Sequence, residues 1–141
     1  MALFDIAEAG RHTVTFTPAS GSSASGRVLL VEAAGGPVEL GKPVKLAGLK
    51  PAQPARYTFE GTAGQKVSVR LSDIVTNPKG SPVTVFLQQI EGGRFNSTMS
   101  NTGKNINMPV ATLRGTGKYA VTVDPGVAAI ESADLSVKEF K

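Results

Sequence analysis

The first 34 residues of this chain recur at its end, and no other feature limits its fold as strongly. At a constant offset of 107 and without a gap, Gly10-Arg11-His12-Thr13-Val14-Thr15-Phe16-Thr17-Pro18 lies over Gly117-Lys118-Tyr119-Ala120-Val121-Thr122-Val123-Asp124-Pro125. Ile6 falls on Leu113, Ser25 on Ser132, Val28 on Leu135, Leu30 on Val137 and Glu32 on Glu139, so the apolar positions keep their phase to the last residue. Self-similarity at domain-sized spacing is the mark of tandem modules. The expected organisation is residues 1–34 as the C-terminal strand pair of a preceding repeat, followed by one complete unit over residues 35–141. Such a chain is a slice of an array or descends from one, and its expected partners are neighbouring copies or domains of the same protein, including a homo-oligomer.

Within the complete unit, Arg56-Tyr57-Thr58-Phe59-Glu60 and Lys66-Val67-Ser68-Val69-Arg70-Leu71 alternate apolar with polar residues. That is the period of a strand with one buried face. The glycines of Gly61-Thr62-Ala63-Gly64-Gln65 supply the backbone freedom of a tight connection, so the pair reads as an antiparallel hairpin. Further strands are expected at residues 83–88, around 93–98, around 105–108, at 118–124 and at 133–139, with Pro43-Val44-Lys45-Leu46 opening the unit. Each carries an apolar face that needs covering, and two stacked sheets provide it. The expected fold is all-β, a two-sheet antiparallel β-sandwich of jelly-roll or immunoglobulin-like type, with an extra N-terminal strand pair at residues 11–17 and 27–32. The inward set is Tyr57, Phe59, Val67, Val69, Leu71, Val83, Val85, Leu87, Tyr119, Val121, Val123, Leu135 and Val137. Residues 130–135 have a slight helical spacing and read as a turn into the last strand, and residues 33–37 read as a linker.

A content of 40% hydrophobic residues suits one core and argues against disorder. The chain lacks cysteine, which excludes disulfides and thiolate metal sites. No apolar run of membrane-spanning length occurs, and the N-terminus lacks the basic and apolar regions of a signal peptide. Either an upstream signal was removed or the chain is a segment of a longer one. The formal charge of +4 is spread singly over residues such as Lys66, Arg70 and Lys118. Without a basic cluster or an interleaved aromatic platform, this argues for solubility and against nucleic acid.

Catalytic chemistry finds no constellation. The only histidine, His12, aligns with Tyr119 and is expected as a partly buried ring with a satisfied nitrogen. No nucleophile elbow accompanies it, and Asp73, Asp124 and Asp134 are isolated, so no enzyme, cofactor or metal is expected. The candidate interaction residues are of two kinds. In Arg27-Val28-Leu29-Leu30-Val31 the apolar residues fall on both faces of a strand, and such a strand wants cover on both sides. Val28, Leu29, Leu30 and Val31 therefore mark a contact with the unit's own body or a neighbouring chain. Phe86, out of phase with Val83, Val85 and Leu87, and Phe95 are candidate exposed rings for a polysaccharide, beside a polar loop at residues 96–105.

The run Tyr57-Thr58-Phe59-Glu60-Gly61-Thr62-Ala63-Gly64-Gln65-Lys66-Val67-Ser68-Val69, followed by Leu113-Arg114-Gly115-Thr116-Gly117-Lys118-Tyr119-Ala120-Val121-Thr122-Val123, resembles the bacterial pre-peptidase C-terminal type of β-sandwich. It is also similar to jelly-roll modules repeated in large secreted and RHS-type surface proteins. The likeness covers most of residues 43–139. It implies an extracellular or cell-surface, non-catalytic accessory or spacer domain. Where such domains often carry an acidic Gly-Asp-x-Asp-Leu stretch, this chain has Gly80-Ser81-Pro82-Val83-Thr84-Val85, without either acid, so the resemblance carries no calcium ligands to these positions.

Overall fold

The computed structural model describes residue 6, residues 8–91 and residues 104–141, together with the backbone pairing of Phe95–Thr102. Two compact units divide the chain, Met1–Leu30 and Val31–Lys141. The second is a β-sandwich of strands β1 (Ala34–Pro37), β2 (Val44–Leu49), β3 (Ala55–Gly61), β4 (Lys66–Asn77), β5 (Pro82–Gln89), β6 (Phe95–Thr102), β7 (Ile106–Asn107), β8 (Ala111–Thr112), β9 (Gly117–Asp124) and β10 (Ala129–Phe140). One sheet runs β1-β3-β9-β5-β6. The other runs β2-β10-β4-β7, with β8 also on β4. Among the described residues, every pairing is antiparallel except β1 on β3.

Alternation decides which face each strand buries. Tyr57 and Phe59 from β3, Val83, Val85 and Leu87 from β5, and Tyr119, Val121 and Val123 from β9 meet Val67, Val69 and Leu71 from β4 and Leu135 and Val137 from β10. All thirteen residues expected to face inward are buried. Leu113 and Met108 join the same core from the segments beside β8. Strands β9 and β10 lie in the interior of their respective sheets, each flanked by a strand on both sides.

Four expectations need correction. Residues 33–37 are no linker, because β1 pairs in parallel with β3 from Ala34↔Ala55 to Pro37↔Thr58. Residues 130–135 are strand, not turn. Their register against β4 shifts between Ile130 and Ser132 and again between Ser132 and Asp134, so Ile130, Ala133 and Leu135 all reach the core at a spacing that mimics a helix. Most of the polar stretch expected as a loop at residues 96–105 is β6, paired with β5. Finally, the strands expected at residues 11–17 and 27–32 are not formed, since residues 8–33 contain no strand. Two strands alone are marginal in water, and a ladder needs a partner edge.

Candidate functional site

Two surfaces collect the residues singled out by the sequence. The first is the outer face of the β1-β3-β9-β5-β6 sheet. Arg56 on β3 is the direct partner of Thr122 on β9, which is in turn the partner of Phe86 on β5. Directly opposed residues share a face, so these three form one row across the sheet. Thr58, Ala120 and Gln88 form the row beside it. Phe86 is half-buried, not the freely exposed ring expected. Ala120 and Thr122 are buried although they face away from the core, and the Thr122 hydroxyl has no hydrogen-bond partner. An unsatisfied buried hydroxyl costs about 1–3 kcal/mol. In sequence Ala120 and Thr122 alternate with the inward Tyr119, Val121 and Val123, which is the signal that places them on the outer face. Phe95 opens β6, and its side chain lies outside the described residues.

The second surface is apolar. Val28, Leu29, Leu30 and Val31 are all exposed, as are Val14 and Phe16. The stretch expected to be covered on both faces is therefore exposed at all four positions. His12, expected partly buried, is also exposed, and its Nε2–H donates to the Glu8 carbonyl at 3.0 Å.

The phenols are held by the core. Gly115 N–H donates to the Tyr119 hydroxyl oxygen at 3.1 Å, and that hydroxyl donates to the Gly115 carbonyl at 2.7 Å. The ring stacks on Phe59 with centroids 5.7 Å apart. Burial pushes the Tyr57 phenol above its ordinary pKa, because the phenolate would lose hydration there. Among the described residues, no three His, Cys, Asp or Glu side chains come together in a way that could hold a metal ion, and no helix is long and apolar enough to cross a membrane.

The fold is a two-layer β-sandwich similar to that of pre-peptidase C-terminal domains. Among solved structures, the pre-peptidase C-terminal domain of a collagenase from Bacillus anthracis superposes with a TM-score of 0.56 at 18% identity, covering 77% of this chain and 98% of that one. PliG of Aeromonas hydrophila, a periplasmic inhibitor of g-type lysozyme, superposes with a TM-score of 0.50 at 16% identity, covering 76% of this chain and 98% of its own. No family model and no curated protein sequence matches the chain.

Proposed function

We propose that the chain is a non-catalytic structural or interaction module that works outside the cytoplasm, in an extracellular or cell-surface assembly, and that it contacts neighbouring copies or domains of its own kind. One observation carries this reading. The sandwich has a complete core of its own, yet Val28, Leu29, Leu30 and Val31 stand exposed in sequence beside it. A run of exposed large apolar residues of this kind is the composition of a contact site. Two proteins of similar fold, one a domain of a collagenase and the other a periplasmic lysozyme inhibitor, support a module that acts beside or upon an enzyme. Light scattering on the full chain and on Leu29→Glu tests the reading. A mass that rises with concentration for the parent and stays monomeric for the variant is expected, and strictly monomeric behaviour of the parent, with and without candidate partner domains, would count against it.

A carbohydrate-binding role is the second reading. It is favoured by the row Arg56, Thr122 and Phe86, which sets a guanidinium-bearing residue and an aromatic residue on either side of Thr122 on the outer face of one sheet. Sugars are bound by such combinations of ring faces and polar groups. Binding on a glycan array that disappears in Phe86→Ala would promote this reading above the first.

A further inference from the structure

Residues 6–32 repeat, at the offset of 107, the stretch that leads into β9 and runs on through β10. What one copy buries, the other exposes. Ile6, Val14, Phe16, Val28 and Leu30 are 68, 47, 67, 60 and 77% exposed. Their counterparts Leu113, Val121, Val123, Leu135 and Val137 are 1, 0, 0, 0 and 0% exposed. The N-terminal segment thus carries the core residues of a sandwich with no sandwich around them.

Local geometry repeats as well. Gly10 and its counterpart Gly117 both hold a positive φ, +153° and +143°, a conformation that side chains disfavour. His12 donates to the carbonyl of Glu8, and Tyr119 donates to the carbonyl of Gly115. In each case a ring reaches four residues back, and Glu8 is the counterpart of Gly115. The turn between β9 and β10, closed by Ala128 N–H on the Pro125 carbonyl, recurs one residue along at residues 19–22, closed by Ser22 N–H on the Ala19 carbonyl.

We propose that residues 6–32 are a donor pair of strands which completes another β-sandwich of this type, one that supplies the counterparts of β1 to β8 and lacks those of β9 and β10. The proposal rests on the reading of the chain as an interaction module and names its partner. The recipient cannot be this chain's own sandwich, whose two positions are already filled by β9 and β10. Chain geometry excludes it too. In the place of β10 the segment would bring Ala33 to the position of Phe140, opposite Lys66, at the end of the sandwich where β3 turns into β4. β1 starts at Ala34, opposite Ala55, at the other end of β3. Ala55 to Gly61 spans about 20 Å at ~3.3 Å per residue, and consecutive Cα atoms lie only about 3.8 Å apart. The recipient is a separate body.

Two exchanges within the full chain test the proposal. In the first, residues 117–124 take the sequence of residues 10–17. In the second, residues 134–141 take the sequence of residues 27–34. Each chain is expected to keep a β-type circular dichroism spectrum and to unfold cooperatively, with a midpoint within about 20 °C of the parent, as volume-tolerant cores do when the pattern is kept. Two controls take residues 9–16 and 26–33 instead. A shift of one residue turns the apolar set of residues 9–16 to the opposite face and, for residues 26–33, brings Arg27 into the buried place of Leu135, so these are expected to lose the transition. An in-register exchange that fails to unfold cooperatively, or a shifted control that folds as well as its in-register counterpart, overturns the proposal. Light scattering and the glycan array read the module's function independently, so failure of the exchanges leaves that reading standing and failure of those assays leaves the strand assignment standing.

Discussion

Replacing Tyr119 by Phe removes one oxygen and nothing else from the middle of the core. The hydroxyl donates to the Gly115 carbonyl at 2.7 Å and accepts from the Gly115 N–H at 3.1 Å, so both backbone groups of Gly115 lose their partner in the variant. A buried hydrogen bond contributes about 1 kcal/mol net, and stranded groups add to the loss, which places the cost near 2 kcal/mol. The unit Val31–Lys141 is slightly above the size range in which 1 kcal/mol moves the midpoint by about 4–8 °C. A fall of roughly 8 °C is expected by differential scanning calorimetry. Tyr119→Ala also loses the ring stacked on Phe59 at 5.7 Å and opens a cavity, for about 3–5 kcal/mol. The comparison separates the two contributions. If Tyr119→Phe melts within 2 °C of the parent while Tyr119→Ala is strongly destabilised, the ring matters and the closure of the Gly115 loop does not, and the reasoning from hydrogen bonds fails.

Three further outcomes are expected. Gly61→Ala should destabilise by about 1–3 kcal/mol in urea unfolding, because its Cβ would run into Leu113 and the Tyr119 ring. Gly35→Ala should detach β1 and speed amide exchange at Pro37-flanking Val38, whose N–H donates to the Thr58 carbonyl, since the added Cβ would collide with the Arg56 backbone at a φ of +131°. The raised pKa of Tyr57 means the folded state holds that proton more tightly than the unfolded chain. Stability from this source is therefore intact below the ordinary value of 10.0 and is lost as pH rises above it. Tyr57→Phe should flatten the alkaline branch of a pH–stability curve.

The strands β3, the first half of β4, β9 and, apart from Phe86, β5 were readable because one buried face imposes a period of two on the residues themselves. The start of β10 was not. Its register shifts against β4 around Ser132 put Ile130 and Ala133 three residues apart on the same face, a spacing that belongs to helices. The far half of β4 was hidden in a similar way, because Asp73 takes a φ of +53° and resets the phase beyond Leu71. β1 offered little to read, since Ala34-Gly35-Gly36-Pro37 has no apolar alternation and is held by its parallel pairing with β3 and the packing of Ala34 on the core. Of the surface residues, Phe86 was legible from its phase. Arg56 and Thr122 became its neighbours only through the strand order, which brings β3 and β5 to either side of β9.

The polarity of the outermost connections bears on how the sandwich answers a pull. The chain comes into it at Ala34, beside Ala55, and departs at Phe140, beside Lys66, at the opposite end. Tension applied through these two points would draw β1 along β3, and β10 along both β2 and β4, in the direction of the strands. Each ladder would then be loaded in shear, with its hydrogen bonds sharing the force together instead of opening one after another from an end. The four pairs of β1 form the short ladder in this series, so β1 would slip first and let out a short length of chain before the core is strained. Survival beyond that point would be set by the rate of unfolding and not by equilibrium stability.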